Sequence, residues 1–434
     1  MSRQIQPPLA VQDPHSTTPA YPLHQLLQYS GYCINTQKEL LTWFTEYIQP
    51  EILPALRGTS CWTPSLTWNH SPFEPSLNIS EPPSLDGKSS VTKTVRFGIE
   101  PVGPLAGTRW DPFNQNAIRS LMHRIQPCMP QLDLDLFEHF FHEFYVPETG
   151  KNIRHAVASN MTGSSHFCAF DFAGNDKEAI DTKIYFILDR PAMLRGTDPA
   201  TLAQESVANL DADRLTSFGP GLSKAISYLG RSGSPMTVDD VEMLAVDCKV
   251  LSQAPRVKLY AHSYNYSFEA MEHVLTMGGL LAQQVQTQSC LALLEDLWRA
   301  LFSDVLDEHP PNEWKTAQLK PVINLNNRRA EFIYSFEVKS GKALPEVKFY
   351  LPIRFYSATD AITVKRLSDF FESRGWHEMA KSYRHALREI LPMNRLDTEG
   401  GTHTYLAFAY SKTKGAYMTL YWQPQMAGKP QAKL

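Results

Sequence analysis

The sequence predicts an α+β protein in which ten antiparallel strands, arranged as five pairs separated by helices, close into a barrel with the helices outside. Three observations predict it. Strand-like stretches come two at a time, each pair followed by a segment with helical spacing of apolar residues. A Lys–apolar–Tyr unit recurs on the second stretch of successive pairs, at Lys183-Ile184-Tyr185, Arg256-Val257-Lys258-Leu259-Tyr260 and Lys348-Phe349-Tyr350. Alternation along a strand then puts the cations and phenols of each unit on one face and the apolar residues on the other. Closure would gather the polar faces around a central solvent-filled chamber, and Arg96 and Tyr421 on the second stretches of the first and last pairs fit the same scheme. An open α+β sheet, or two sheets, is the alternative. Any one copy alone reads as a solvated strand face, and Lys381-Ser382-Tyr383 repeats the unit in a helical segment by coincidence.

The elements follow in order. Leu23 to Leu56 has helical spacing, with Leu26, Leu27, Leu40, Leu41, Phe44, Tyr47 and Ile48 on one stripe. The first strand pair falls at about 73–80 and 92–101. Asp111 caps a helix to about Gln126, with Pro112 at its first position. The second pair, about 165–172 and 182–188, turns at Gly174-Asn175-Asp176. Helices near 199–209 and 221–229 lead to a third pair at about 244–249 and 255–262. A long helix covers about 267–302, and the fourth pair, about 331–338 and 346–352, turns around Gly341. A helix over about 363–392 breaks near Gly375, and the fifth pair, about 404–411 and 416–422, turns around Lys414-Gly415.

With 434 residues, 43% hydrophobic and 11% aromatic, the chain can bury a large core. No linker or charge run divides it, so residues 22–423 read as one domain, flanked by a polar, Pro-rich disordered arm (1–21) and a loose tail (424–434). A net charge of −4 without a basic block argues against nucleic-acid binding. No apolar run is long enough to span a membrane, and the N-terminal stretch lacks the apolar core of a secretory signal. Cys33, Cys61, Cys128, Cys168, Cys248 and Cys290 are scattered, which reads as reduced thiols in a cytoplasmic protein. A homodimer is compatible with the sequence.

Several Lys and Arg side chains in one pocket call for an anion, and a diphosphate suits them. Tyrosine faces beside them stabilise a cation by roughly 1–2 kcal/mol each when desolvated. Together they suit ionisation of an allylic diphosphate and attack by an electron-rich aromatic ring, after which a base must remove a proton. Glu74 and Glu100 are the candidate bases.

These residues carry a family resemblance. Trp62-Thr63-Pro64-Ser65-Leu66-Thr67, Phe73-Glu74-Pro75-Ser76-Leu77-Asn78, Val95-Arg96-Phe97 with Glu100-Pro101, the three Lys/Arg–Tyr strands, Phe408-Ala409-Tyr410 and Tyr417-Met418-Thr419-Leu420-Tyr421 occur in order. Over nearly all of 22–423 the chain resembles the fungal aromatic prenyltransferases of the dimethylallyltryptophan synthase family. The resemblance implies the ABBA fold, a ten-strand barrel of αββα repeats, and a metal-independent transferase with no cofactor. The substrates it implies are dimethylallyl diphosphate and a small aromatic acceptor, an indole such as a tryptophan derivative, a tryptophan-containing cyclic dipeptide or an alkaloid precursor. A phenolic, polyketide or tyrosine acceptor, or a non-catalytic barrel binding an anionic aromatic ligand, is the alternative.

By the same resemblance Glu74 is the catalytic base and Glu100 belongs to a structural Glu-Pro. Arg96, Lys183, Arg256, Lys258 and Lys348 hold the diphosphate; Tyr185, Tyr260, Tyr350, Tyr410 and Tyr421 form a tyrosine shield, thinned where Leu406 stands. The backbone around Leu66 lies near the acceptor, and Ile333 limits the donor to five carbons. Glu242-Met243-Leu244 lacks the Arg that holds an amino-acid carboxylate in some members, which argues against a free amino-acid acceptor. His166-Phe167 stands where C4-prenylating members carry a Lys, which argues against that position. No metal site is expected. His139-Phe140-Phe141-His142-Glu143 misplaces the Glu of a zinc motif, and Asp239-Asp240-Val241-Glu242 and Asp133-Leu134-Asp135 lack magnesium-chelating spacing. Gly230-Arg231-Ser232-Gly233 is no P-loop, and Phe137 to Phe144 reads as a core stripe.

Overall fold

In the computed structural model, which describes residues 18–81, 91–159, 163–174, 179–214, 217–250, 253–306, 309–310, 313–322, 330–411 and 415–425, ten strands form one closed antiparallel barrel. They are β1 (Phe73–Ser80), β2 (Thr92–Ile99), β3 (His166–Phe172), β4 (Ile180–Ile187), β5 (Val241–Asp247), β6 (Arg256–Ser263), β7 (Phe332–Lys339), β8 (Glu346–Leu351), β9 (His403–Ser411) and β10 (Gly415–Trp422). Each strand pairs with its neighbours in sequence, and β1 pairs with β10 to close the ring. No edge is left open, so the backbone groups of the sheet find partners within it.

Alternation sorts the side chains. On β6, Val257, Leu259 and Ala261 point outward into the core beneath the helices. Outward aromatic residues from adjacent strands meet there: Phe97 lies 5.2 Å from Phe170, and Phe44 of the helical layer lies 5.2 Å from Phe97 and 5.7 Å from Phe73. Trp298 of the helix Val285–Leu306 packs 6.0 Å from Phe332. The edge-on contacts of Phe44 and Trp298 hold the helical layer to the outside of the barrel.

The helical readings need three corrections, each traced to backbone. The segment 23–56 is divided: the first helix, Ala20–Tyr29, ends before Gly31, whose φ of 80° no continuing helix accepts, and Ile34–Trp43 starts anew before a π-helical turn Phe44–Ile48 and a final stretch Gln49–Leu56. The helix assigned to start at Pro112 starts at Asn116, because Asn114 turns at φ 51°; the Asp111 carboxylate still accepts from the backbone N–H of Gln115 (2.7 Å) and Asn116 (3.2 Å). The long helix over 267–302 is two, Phe268–Leu275 and Val285–Leu306, separated where Met277, Gly278 and Gly279 all have positive φ. The break at Gly375 lies as expected, between Asp360–Ser373 and His377–Ile390. β5 begins at Val241, three residues earlier than read, because a bulge between Val241 and Met243 interrupts the alternation. Helices Asp135–Phe144, Gly150–Ala158 and Asp189–Arg195 were not anticipated as elements, although the Phe137–Phe144 stripe is buried core.

At the ends, Ala20 and Tyr21 belong to the first helix and Tyr21 is buried, so the ordered chain starts before residue 22. Pro424 and Gln425 are tied down by Asn69 and Asn394 at 2.9 Å each. Most of the assigned arm (1–17) and tail (426–434), and the turn residues 175–178 and 412–414, lie outside the described residues. Among the described residues no helix is long and apolar enough to cross a membrane.

Candidate active site

The inward residues of β6, Arg256, Lys258, Tyr260 and His262, run along the axis of a chamber of about 530 Å³, the size of a small-molecule site. Neighbouring strands repeat the order. Lys183 precedes Tyr185 on β4, and Lys348 precedes Tyr350 on β8. On β1 and β2, Arg96 pairs with Ser76 while Glu74 pairs with Gly98. One inward step, two residues or about 7 Å along the strand, thus separates the cation level from Glu74. The chamber is layered: cations, then tyrosines, then the end that contains Glu74.

All five expected diphosphate ligands line this chamber. They are not alone. Asp171 bridges Arg96 (3.1 Å) and Lys183; Asp247 bridges Arg256 (2.7 Å) and Lys258 (2.6 Å); Glu337 meets Arg256 at 2.8 Å. Each carboxylate stands in register beside a cation, as Arg96↔Asp171, Lys183↔Asp247 and Lys258↔Glu337. Burial works against all three carboxylates, yet Arg96 and Lys183 hold Asp171, Lys258 and Arg256 hold Asp247, and Arg256 holds Glu337, below the usual range. Five cationic side chains thus share three carboxylates, an excess of two basic groups. Lys348 carries the imbalance: among the described residues it forms no ion pair, and burial, with Arg96 next, pushes its ammonium down to about 7. Burial also lowers Lys258, to about 8. A bound diphosphate would reverse both shifts.

Above the cations the tyrosine rings form a continuous ladder. Tyr185 is 5.7 Å from Tyr260, Tyr260 is 5.8 Å from Tyr350, and Tyr350 is 6.3 Å from Tyr421. Tyr410 is a correction. It shares the outward face of β9 with buried Leu406 and Phe408 and packs against the outer core. The inward face of that strand carries Tyr405, and β10 adds Tyr417; both line the chamber. The supposed thinning at Leu406 is therefore a one-residue register error, legible in the Leu406–Phe408 alternation. The Lys348 ammonium lies 5.1 Å from the Tyr350 ring and 5.4 Å from that of Tyr417.

The two glutamates separate cleanly. Glu100 is fully buried and accepts from Trp62 Nε1 (2.6 Å), the backbone N–H of Ser65 (2.7 Å) and Leu66 (3.0 Å), and the Ser164 hydroxyl. It fixes the loop that places Leu66 on the chamber wall, and has no lone pair to spare for catalysis. Glu74 faces the chamber and accepts one hydrogen bond, from the Thr404 hydroxyl at 2.7 Å. Burial raises its carboxyl to about 7, against the opposing pull of that bond and of Arg354. Ile333 lines the wall in register with Tyr350.

One inward step beyond Tyr260, Glu242 lies 2.6 Å and Glu331 3.1 Å from His262; burial opposes its charge, but Glu242 holds the imidazole well above its usual pKa. Of His166-Phe167, only Phe167 enters the chamber; His166 is buried on the outer face, stacked on Phe141 at 5.4 Å. The discarded motifs are occupied with structure: His139 bonds the Ser206 carbonyl at 2.8 Å, and Asp240 closes a capping box with Thr237. Among the described residues no cluster is arranged to hold a metal ion. Three groups of residues escaped the sequence reading: the carboxylates Asp171, Asp247 and Glu337, the tyrosines Tyr405 and Tyr417, and Arg354. The strand pairing itself would have found the first, since each stands opposite a cation.

Cations able to hold a diphosphate, below phenol faces able to shelter a carbocation and gathered inside a barrel of αββα repeats, mark an aromatic prenyltransferase. Similarity to known proteins narrows the class: the chain belongs to the tryptophan dimethylallyltransferase family, matched over residues 12–386. It is 32% identical over 413 residues to a 7-dimethylallyltryptophan synthase of Aspergillus fumigatus, covering 92% of this chain and 82% of that one. To an indole diterpene prenyltransferase of Penicillium ochrochloron it is 29% identical, covering 93% and 90%. The crystal structure of AnaPT from Neosartorya fischeri superposes with a TM-score of 0.75 at 25% identity, covering 95% of this chain and 93% of that one.

Proposed function

We propose that the chamber transfers a dimethylallyl group from dimethylallyl diphosphate to an indole ring, without a metal ion, in the cytoplasm. Arg96, Lys183, Arg256, Lys258 and Lys348 take the diphosphate. The allylic C–O bond breaks and its electron pair leaves with the diphosphate, whose charge the cations offset. The allyl cation is sheltered by Tyr185, Tyr260, Tyr350 and Tyr421, with Tyr405 and Tyr417 beside them, while water is kept out. The ring's π electrons form the new C–C bond. Glu74 then takes the ring proton and aromaticity returns, leaving prenylated indole and diphosphate. The observation that carries this reading is the unbroken tyrosine ladder between a cation cluster in excess of its carboxylates and a carboxyl whose pKa burial has brought to about 7. The relatives named for dimethylallyltryptophan and indole diterpene products support an indole acceptor. The excess of basic groups supports metal independence, since it supplies the charge a metal would.

The test is incubation with dimethylallyl diphosphate and a panel of indoles, cyclic dipeptides, tyrosine and polycyclic phenols in excess EDTA, read by mass. Prenylated indoles are expected. Product only from phenols, or only after magnesium is restored, overturns the acceptor or the metal-free step respectively.

Donor length gives a second expected outcome. Ile333 lines the chamber in register with Tyr350, which supports reading it as the limit on donor length. Ile333→Ala admits geranyl diphosphate, raising its kcat/KM relative to the five-carbon donor by about 10-fold or more, the effect of one or two methylenes in an apolar pocket. Competition between the two donors, quantified by mass spectrometry, checks this.

A further inference from the structure

β9 breaks its own alternation where it approaches Glu74. His403 and Leu406 both face outward, yet the two residues between them, Thr404 and Tyr405, both line the chamber. The pairing explains this. His403 stands opposite Trp422 and Leu406 opposite Leu420, so Thr404 and Tyr405 together oppose Tyr421 alone. That is a β-bulge in β9, a device that re-aims a side chain. The bulge in β5 has the same form: Val241 and Leu244 face the core, and Glu242 and Met243 between them both line the chamber. In an unbroken strand the residue beside inward Tyr405 would face the helices. Thr404 enters the chamber because β9 carries one residue more than its partner there.

The bulge is held from behind. Asp360, at the start of the helix Asp360–Ser373 and 2% exposed, accepts from the backbone N–H of Thr402 (2.9 Å) and of His403 (3.1 Å). Its Oδ1 also lies 2.8 Å from His403 Nδ1, and the other ring nitrogen lies 2.7 Å from the Tyr383 hydroxyl on the helix His377–Ile390. These buried groups lie outside the chamber and touch no reacting atom. What they fix is the backbone immediately before Thr404. Thr404 is itself buried and β-branched, so its side chain has little freedom to turn. Its hydroxyl donates to Glu74 Oε1 at 2.7 Å.

We propose that Thr404 is a positioning residue for prenyl transfer: aimed by the bulge, its hydroxyl occupies Oε1 of Glu74, sets the plane of the carboxylate and leaves Oε2 to take the ring proton. The source of that proton rests on the prenyl-transfer reading; the pairing of the two side chains does not. A hydroxyl donated to a carboxylate also favours its ionised form, the form that acts as a base. The other groups facing Glu74 do not replace it. Gly98, opposite on β2, carries no charge, and neither does the loop Ser65–Trp68. Burial raises the Tyr421 phenol on β10 well above its usual pKa, so it stays neutral. Burial raises Glu74 itself, and against that rise Arg354, following β8, pulls less than Thr404 does.

The experiment follows the Glu74 carboxyl and the reaction separately. Infrared difference spectra across pH, with the carboxyl band absent from Glu74→Gln assigned to Glu74, give its titration midpoint. Steady-state rates at saturating dimethylallyl diphosphate with an indole acceptor give kcat over the same range. Thr404→Val, close in shape but without the hydroxyl, should raise the midpoint by about one to two pH units, the worth of a hydrogen bond to a charged group. The acid limb of kcat should move up with it, so that kcat at pH 7 falls by about 5- to 50-fold, the fraction of carboxylate lost. Thr404→Ser, which keeps the hydroxyl, should return both toward wild type. Thr404→Ala, which removes the donor without adding bulk, should repeat the shift if valine disturbs packing. In the Glu74→Gln background Thr404→Val should change kcat by less than about 2-fold, because the two residues act as one unit. An unmoved midpoint in both Thr404→Val and Thr404→Ala overturns the proposal, whatever happens to turnover. So does an equal loss of kcat with and without Glu74, which marks Thr404 as structural. If the midpoint moves but wild type prenylates nothing, the Thr404–Glu74 pairing stands and the prenyl-transfer reading falls.

Discussion

Replacing Glu74 by Gln lowers kcat by about 10²–10⁴-fold, the usual contribution of a positioned general base, and leaves donor affinity unchanged. Glu74 touches none of the cations that would hold the diphosphate; it lies one inward step further along β1, beyond the Ser76–Arg96 pair. Gln keeps the shape and can still take the Thr404 hydroxyl bond, so folding should be undisturbed. What it lacks is a basic lone pair for the ring proton. Because burial raises the carboxyl to about 7, the working, deprotonated form grows as pH rises through that value. The acid limb of kcat/KM should therefore rise through about 7 and vanish in the variant. Titration of donor binding by calorimetry, set beside steady-state rates over pH, checks both halves. Unchanged turnover removes Glu74 from the mechanism.

The second large effect concerns Lys348. Lys348→Met lowers donor affinity by about 10–100-fold, the worth of a charged hydrogen bond of roughly 1.5–3 kcal/mol. It should leave the fold as stable or more so, since it removes a buried cation that makes no ion pair among the described residues. The pH dependence has a definite sign. With its pKa lowered to about 7, Lys348 is charged below that value and neutral above it. The free enzyme thus loses donor affinity as pH climbs past 7, and binding at pH 8 draws a proton onto the lysine. Calorimetry in buffers of different ionisation enthalpy reads that uptake directly. Lys348→Arg stays charged throughout, so both the uptake and the alkaline loss of affinity should shrink. Donor binding without proton uptake in the wild type contradicts this account of the cation cluster.

What could be read from the sequence follows from period two. The strands announce themselves because Val257, Leu259 and Ala261 face a greasy helical layer while Arg256, Lys258 and Tyr260 face the chamber, and the same alternation recurs from pair to pair. The same rule, applied to β9 through Leu406 and Phe408, turns Tyr410 outward and Tyr405 inward, against the placement that the family resemblance implies. The internal carboxylates were missed for another reason. Asp171, Asp247 and Glu337 look like ordinary strand polars until the hairpins are put in register, where each faces a cation. Arg354 lies beyond the end of its strand, where alternation no longer predicts direction. The broken helices reflect backbone more than side chains: Gly31 and the Met277–Gly279 turn interrupt apolar stripes that continue across them in sequence.

The central claim is that one chamber brings diphosphate-holding cations, a tyrosine ladder and Glu74 to bear on the same reacting carbon. A crystal structure of the protein with dimethylallyl thiolodiphosphate, which resists ionisation, and an indole acceptor tests it most directly. The account predicts diphosphate oxygens on Lys183, Arg256, Lys258 and Lys348, the allyl group among Tyr185, Tyr260, Tyr350 and Tyr421, and the ring between that group and Glu74. A diphosphate held at the barrel's outer surface, or an acceptor ring out of reach of Glu74, would contradict it.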